Sequence, residues 1–236
     1  MKNQYFGDVN DYRKYGLLRV LARSGLSVGV CWLLTSDDGG TDGQFRRYLT
    51  DAQRWRRFDP ELHNHLRRLL ERGAIHAVQR AEDWELIPGA SYFSELLEDG
   101  ADRRDAYFES AWSALHRSQL LFFDPDNGLE VPSTKRGSRG SAKYLYWQEV
   151  RQAYSSGHSV SVYQHFPHVR REPFVPFLAD RISEQLPGAQ VIGLETSHVA
   201  FLLAAQPAHA AVLQNSALEV TSIWQGQIWL RCGGPV

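Results

Sequence analysis

Residues 120–128 read Leu-Leu-Phe-Phe-Asp-Pro-Asp-Asn-Gly, an apolar run that ends in carboxylates and a turn sequence. A short, nearly continuous apolar run is typical of a strand that is buried on both faces of a sheet. Runs of similar character occur at 27–34, 159–163, 190–194 and 199–205. These five segments are therefore predicted to be the strands of one sheet.

Most of these strands are separated by segments in which apolar residues recur at helical spacing. The predicted helices cover 10–23, 60–72, 103–117, 142–155 and 174–185. Strands that alternate with helices predict an α/β protein with a doubly wound, mainly parallel, Rossmann-like sheet. Only Glu195–His198 separate the last two predicted strands. Because a parallel crossover needs a longer connection, those two strands are predicted to pair as an antiparallel hairpin, the arrangement of methyltransferase-type sheets.

The composition is that of a folded protein, with 43% apolar and 12% aromatic residues in 236 residues. Residues 1–236 are predicted to form a single α/β domain with a helical, arginine-rich insertion at about 44–100. The formal charge is −1, so any surface for a polyanion has to be local. Two distant cysteines predict neither a disulfide framework nor a zinc site. No apolar stretch approaches the length of a bilayer span, so we expect a cytoplasmic protein without a membrane partner.

Three polar loops follow predicted strands, at 36–43, 124–128 and 164–168. In open α/β sheets, ligands bind beyond the carboxyl ends of the strands, so these loops are predicted to form one site. The first loop contains Asp37, Asp38, Gly39 and Gly40, which favour a cationic or hydroxyl-rich ligand over a phosphate. An ordinary acidic turn is the alternative interpretation of that loop.

The segment Asp124-Pro125-Asp126-Asn127 is the predicted catalytic segment. In one interpretation, Asp124 accepts a hydrogen bond from an exocyclic amine, and Pro125 fixes the backbone around the base. In a second, Asp124 and Asp126 bind Mg²⁺ for phosphoryl chemistry. In a third, Asp126-Asn127-Gly128 is only a tight turn.

Residues 131–143, which follow this segment, contain four basic residues and no acidic residue. The basic residues are Lys135, Arg136, Arg139 and Lys143, and they can grip a phosphate backbone or simply be solvated. Tyr163 and His165 at the third loop complete the predicted substrate-binding set. Serine-hydrolase, phosphate-loop and dinucleotide-binding motifs do not occur in the sequence, which disfavours those three enzyme classes.

The order of these features resembles the adenine-N6 methyltransferases of large-subunit ribosomal RNA and the related three-Cys-motif partner proteins. Residues 7–15 (Gly-Asp-Val-Asn-Asp-Tyr-Arg-Lys-Tyr) precede the first helix much as a short Gly/Asn, Asp and Lys motif does in those enzymes. Asp124-Pro125 stands at the place of their Asp-Pro-Pro-Tyr motif, whose last two positions hold Asp126 and Asn127 here.

The resemblance implies S-adenosylmethionine (SAM) as the cofactor. Asp124 would bind the target amine, Asp37 or Asp38 would contact SAM, and Lys14 would help order the site. The leading hypothesis is thus a SAM-dependent, methyltransferase-like protein that acts on a base amine of RNA or DNA. A Mg²⁺-dependent nuclease or phosphatase that uses Asp124 and Asp126, and a non-catalytic binding module on the same fold, remain alternatives. The sequence leaves the oligomeric state open.

Overall fold

The computed structural model describes residues 1–40, 45–71, 77–167 and 173–233. Asp42 and Gly43 of the first predicted loop, and His168 of the third, lie outside the described residues. The strands are β1 (Val28–Cys31), β2 (Ser91–Phe93), β3 (Leu120–Phe123), β4 (Gly128–Leu129), β5 (Tyr144–Leu145), β6 (Ser159–His165), β7 (Gln190–Glu195), β8 (Val199–Ala205) and β9 (Trp229–Cys232). The helices are α1 (Val9–Arg23), α2 (Ala52–Trp55), α3 (Pro60–Glu71), α4 (Gln79–Asp83), α5 (Ala101–Leu115), α6 (Trp147–Ser155), α7 (Phe174–Gln185) and α8 (Ala210–Ile223).

A seven-stranded sheet with the order β2-β1-β3-β6-β8-β7-β9 forms the centre of the protein. The first four of these strands pair in parallel. β8 is antiparallel to both of its neighbours, β6 and β7, so the predicted hairpin is confirmed. β9 adds a further antiparallel strand beside β7. The predicted fold class, a Rossmann-like, doubly wound α/β sheet with an antiparallel strand near its C-terminal end, is therefore confirmed.

The sheet separates two apolar layers because successive side chains of a strand point to opposite faces. Val30 and Phe122 pack into the layer that α1, α3 and α8 cover. Their neighbours Cys31 and Phe123 pack into the layer that α5, α6 and α7 cover. Burial on both faces explains why the central strands are continuous apolar runs in the sequence.

Helix α1 begins one residue before the predicted start. Asp8 is its N-cap, and the Asp8 carboxylate accepts hydrogen bonds from the backbone N–H groups of Asn10 and Asp11, both at 2.8 Å. A carboxylate is a preferred cap because it satisfies N–H groups that have no partner within the helix. The cap places the first turn of α1 beside the carboxyl end of the sheet.

The arginine-rich insertion packs on α1. The Tyr12 hydroxyl donates a hydrogen bond to the carbonyl of Trp55 at 3.0 Å. Arg19 forms an ion pair with Asp59 at 2.7 Å, and the Asp59 carboxylate also accepts from the backbone N–H of Leu62 at the start of α3. These contacts place the insertion over the same face of the sheet that α1 covers.

The structure differs from the sequence-based prediction most clearly at β2, at the start of α6 and after β8. The insertion is predicted to be helical, but besides α2, α3 and α4 it contains β2, a three-residue edge strand with one buried side chain, which is too short to give a periodic signal. The helix predicted from 142 begins at Trp147, because Tyr144–Leu145 pair with β4 and the Glu130 carboxylate accepts from the Trp147 N–H at 2.9 Å. The strand at 199–205 is not the last element, since α8 and β9 follow it.

Gly16 is the point of closest approach between α1 and the end of α8. A Cβ at position 16 would lie 2.0 Å from Cζ2 of Trp224, a ring that is itself stacked on Phe58 at 5.2 Å. We expect Gly16→Ala to lower the free energy of unfolding by roughly 1–3 kcal/mol through overpacking, although alanine is the better helix former. Urea unfolding measures this change.

A double-mutant cycle with Trp224→Leu is the control for this prediction. Because the smaller side chain removes the clash, Gly16→Ala should cost far less in the Trp224→Leu background. Equal costs in the two backgrounds would show that the close approach does not limit stability.

Candidate functional site

A cavity of about 440 Å³ lies at the carboxyl ends of β1, β3 and β6. In the sheet, β2 lies on one side of β1, and β3, the next strand in sequence, lies on the other side. The crevice between β1 and β3 is therefore the topological switch point of the sheet. Ligands of doubly wound folds bind in that crevice. Its walls come from the first turn of α1, the β1 and β3 loops, the end of β6, and the β7–β8 turn.

The buried side chain of Lys14 lies at the floor of the cavity. Its Nζ lies 2.6 Å from a carboxylate oxygen of Asp11 and 2.7 Å from Oδ2 of Asp124. All three side chains are almost fully buried. Burial lowers the pKa of Lys14, but the two carboxylates outweigh burial, and the net shift of this pKa is upward. Lys14 therefore stays charged and ties α1 to the end of β3.

Asp124 is held by its backbone as well as by Lys14. Its N–H donates to the carbonyl of Cys31 at 3.1 Å, continuing the pairing of β3 with β1. Its carbonyl accepts from the α-amino group of Met1 at 2.7 Å. In the described part of the chain, Oδ1 of Asp124 forms no hydrogen bond, and Asp124 lines the cavity. This oxygen can accept a hydrogen bond from a ligand.

The Asp126 carboxylate contacts the start of the chain and Thr35, whereas the Asp124 carboxylate contacts Lys14. Asp126 lies 2.9 Å from the ammonium group of Met1, and the Thr35 hydroxyl donates to Oδ2 at 2.6 Å. Burial raises the pKa of Asp126, but the ammonium group and the Thr35 hydroxyl outweigh burial and lower the pKa. Among the described residues, no group of three or more His, Cys, Asp or Glu side chains is arranged to hold a metal ion. The magnesium hypothesis thus gains no support from this arrangement.

Asn127 and Gly128 lead into β4. The backbone N–H of Asn127 donates to the carbonyl of Lys143 at 2.9 Å, and this contact sets Lys143 at the rim of the cavity. Gly128 has a φ of +116°, and a Cβ there would lie 2.3 Å from the Gln164 amide. That amide is anchored to the Asn127 carbonyl at 3.1 Å and to the Leu129 N–H at 2.8 Å. Only glycine fits this position.

The first predicted loop is bound by the start of the chain. Asp38 forms an ion pair with Lys2 and accepts from the Gln4 amide at 2.9 Å. The hydrogen bond from Lys2 is the largest cause that holds the pKa of Asp38 below its ordinary value. Asp37 instead accepts from the backbone N–H of Gln4 at 3.1 Å. Asp38 and Lys2 line the cavity, and Asp37 is not part of its lining.

Gly39 and Gly40 are exposed beside Asp38. The Gly40 N–H donates to Oδ1 of Asp38 at 3.0 Å, which closes a short turn around that carboxylate. In the part of the loop that the structure describes, these glycines shape the loop and lie outside the cavity lining.

Tyr163 and His165 stand at the end of β6, as the sequence predicts. The Tyr163 ring is buried, with its centroid 5.3 Å from Nζ of Lys14. The His165 ring lies 5.1 Å from it, at an interplanar angle of 80°. The protein atoms around the imidazole partly desolvate it and lower the pKa of His165, so the ring is neutral at neutral pH.

Only one of the four basic residues predicted to bind substrate lies at the cavity. Arg136 is tied to Asp105 at 2.6 Å and to Glu149 at 3.0 Å. Lys135 and Arg136 line a second cavity on the other side of the β4–β5 pair, and Arg139 is exposed. Lys143 alone of these four basic residues lines the main cavity.

Several residues of the cavity lining were not predicted individually. Asp8 and Asp11 precede Lys14 at helical spacing, so their shared face was a usable signal in the sequence. Phe45 and His198 come from the insertion and from the β7–β8 turn. No local pattern marks these two residues, because only the tertiary fold brings them to the cavity.

Comparison with models of known protein families gives no match, and no curated protein matches the chain. None of the helices within the described ranges has the length and apolar character to cross a bilayer.

We expect Lys14→Met to lower the free energy of unfolding by roughly 3–5 kcal/mol, because Asp11 and Asp124 would be left buried without a counter-ion. Lys143→Met is the matched control. Lys143 is exposed, and its replacement should change stability by less than about 0.5 kcal/mol. Thermal and urea unfolding test both variants. Equal losses of stability would contradict a central role for Lys14.

A pH dependence follows from Asp8. Burial, and then the nearby Asp11 carboxylate, raise the pKa of Asp8 to about 7. A carboxyl whose pKa is raised on folding stabilises the protein fully below its unfolded pKa, and this contribution is lost as the pH rises through 7. We expect the contribution of Asp8 to the free energy of unfolding to fall between pH 5 and pH 8 by an amount on the order of 2–4 kcal/mol, taken as the difference between the wild type and Asp8→Asn.

Asp8→Asn is the test of this assignment. Asparagine is an equally good N-cap but does not titrate, so the variant should lose much less stability over the same pH interval. Unfolding in urea at several pH values measures both curves. Parallel curves would contradict the assignment of the titration to Asp8.

Proposed function

We propose that this protein is a SAM-dependent, methyltransferase-like enzyme that acts on an amine of a nucleic-acid base. The observation that carries the proposal is the acidic cavity at the switch point between β1 and β3, with Asp124 at its floor. The position of β8, antiparallel between β6 and β7, is also the arrangement of methyltransferase-type sheets. A shared fold does not by itself give a shared function, so the chemistry of the cavity has to support the proposal.

The polar groups that line the cavity fit SAM better than a phosphate-bearing cofactor. The carboxylates of Asp8 and Asp38 favour the positive charges and the ribose hydroxyls of SAM. The first free N–H groups of α1 are already capped by Asp8, so a phosphate finds few unpaired donors there. The volume of about 440 Å³ lies in the range of cofactor pockets. Asp38, together with the turn at Gly40, would hold the cofactor.

When bound, SAM supplies a methyl group that is activated for attack by a nucleophile. The residues of this chain then have to present the amine in line with that group, and positioning of this kind supplies most of the rate. Oδ1 of Asp124 can accept a hydrogen bond from the amine. Lys14 fixes the orientation of the carboxylate through Oδ2 at 2.7 Å. Tyr163 and His165 close the side of the cavity beyond β6.

Asp124→Asn is the test of this proposal. The amide keeps the shape of the side chain but removes a charged acceptor. Transfer of labelled methyl groups from SAM to total RNA or to denatured DNA should fall by about 100-fold or more. Calorimetric titration should show SAM binding that is close to that of the wild type, because Asp124 acts on the amine.

Asp38→Asn is the matched control, because it should weaken SAM binding, which Asp124→Asn leaves close to that of the wild type. SAM binding should be about tenfold weaker, because a charged hydrogen-bond acceptor is lost.

Wild-type protein that binds no SAM but cleaves nucleic acid only with Mg²⁺ would replace this proposal with the magnesium hypothesis. Wild-type protein that binds neither SAM nor Mg²⁺ would support a non-catalytic module instead.

A further inference from the structure

A second concave surface adjoins the cavity along the arginine-rich insertion. This groove of about 920 Å³ is lined by Phe45, Arg47, Tyr48, Arg54 and Trp55, together with the first residue of α1. Phe45 lines both the groove and the cavity. The groove therefore leads along the insertion to the mouth of the cavity.

Phe45 presents an open aromatic face at this junction. Its side chain is 66% exposed, and its ring is stacked on His198 at 6.5 Å with an interplanar angle of 13°. Its position is fixed, because the Phe45 carbonyl accepts from the N–H of Val9 at 3.1 Å. The Tyr48 hydroxyl also donates to the carbonyl of Gly7 at 3.0 Å. A flat apolar ring is thus held at the mouth of a polar cavity.

The groove carries two arginines that no carboxylate in the described part of the chain neutralises. Arg47 and Arg54 are exposed, and neither forms an ion pair with a carboxylate in the described part of the chain. The guanidinium groups of Arg13 and Arg54 lie over the Trp55 ring at 5.3 and 5.6 Å. Arg19 and Arg136, in contrast, are held by acidic partners.

The acid that lines the groove has a structural partner. Asp51 caps α2, where its carboxylate accepts from the backbone N–H of Arg54 at 3.4 Å. Interleaved arginines and aromatic rings in a groove are the features by which proteins bind single-stranded nucleic acid. The arginines contact phosphates, and the rings stack on bases.

We propose that this groove binds a single strand of nucleic acid, with a base stacked on Phe45 and phosphates on Arg47 and Arg54. This inference rests on the proposed function and names its substrate class. Asp124 is only 1% exposed, so a base that is paired within a duplex cannot reach it. Phe45 also supplies an aromatic face that the segment Asp124-Pro125-Asp126-Asn127 lacks.

Fluorescence anisotropy with labelled oligonucleotides tests the groove directly. The probes are one single-stranded RNA, the DNA of the same sequence, and the duplex of each. The wild type should bind the single strands more tightly than the duplexes. Comparison of the two single strands shows whether the 2′-hydroxyl contributes to recognition.

Two variants probe the two kinds of contact. Phe45→Ala should weaken single-strand binding about tenfold, and Phe45→Trp should restore it, because stacking depends on the aromatic face. The double variant Arg47→Ala/Arg54→Ala should weaken binding by a similar factor. It should also make affinity less dependent on salt, because two phosphate contacts are lost.

Arg23→Ala/Arg117→Ala is the matched control. It removes the same charge from two exposed arginines at the opposite edge of the sheet, and it should leave affinity unchanged. Lys135→Ala/Arg139→Ala tests the basic loop as the rival surface. Loss of affinity in that variant instead of the groove variants would overturn the proposal. Equal affinity for single strands and duplexes would overturn it as well.

SAM binding separates this proposal from the proposed function. The double variant Arg47→Ala/Arg54→Ala should bind SAM as the wild type does, since neither Arg47 nor Arg54 lines the cofactor cavity. A wild type that binds single strands but not SAM would overturn the enzymatic proposal and leave the groove supported. A wild type that transfers methyl groups from SAM to nucleic acid, but whose affinity for single strands is unchanged in the groove variants, would overturn the groove alone.

Discussion

The buried contact of Lys14 with Asp11 and Asp124 is the interaction on which the site depends. It joins the first turns of α1 to the carboxyl end of β3, at 2.6 and 2.7 Å. A buried cation is tolerated only with well-placed partners, and the two carboxylates in turn need the cation. The same contact fixes the orientation of Asp124, so the stability of this region and the geometry of the candidate site have one origin.

The remaining parts of the site are arranged around this contact. The start of the chain crosses the cavity wall, where Met1 contacts Asp126 and Lys2 contacts Asp38. Most of the carboxylates in the lining are thereby balanced by nearby cations. The first part of the insertion, residues 44–72, carries eight arginines against four acidic residues, and it packs against α1 and extends the same surface outward. The near-zero net charge of the chain conceals this separation of acidic cavity and basic groove.

Much of the fold could be predicted from the sequence because its central elements have strong local signals. β3, β8 and α7 have the predicted boundaries, since apolar runs and helical spacing are present in the sequence itself. β2 and β9 were missed. Each is a short edge strand with partly exposed side chains, and pairing with a neighbour that is distant in sequence defines it. The same holds for Phe45, which only the insertion brings to the cavity.

Local periodicity and the placement of polar residues after apolar runs predicted the α/β class, the order of the central elements, and the carboxylates that end the strands. The three-dimensional fold sets which charges meet. It paired Arg136 with Asp105 and Glu149, left Arg47 and Arg54 exposed beside the cavity, and buried Lys14 between two carboxylates. Electrostatic interactions depend on distance and burial in space, and spacing along the chain contains neither.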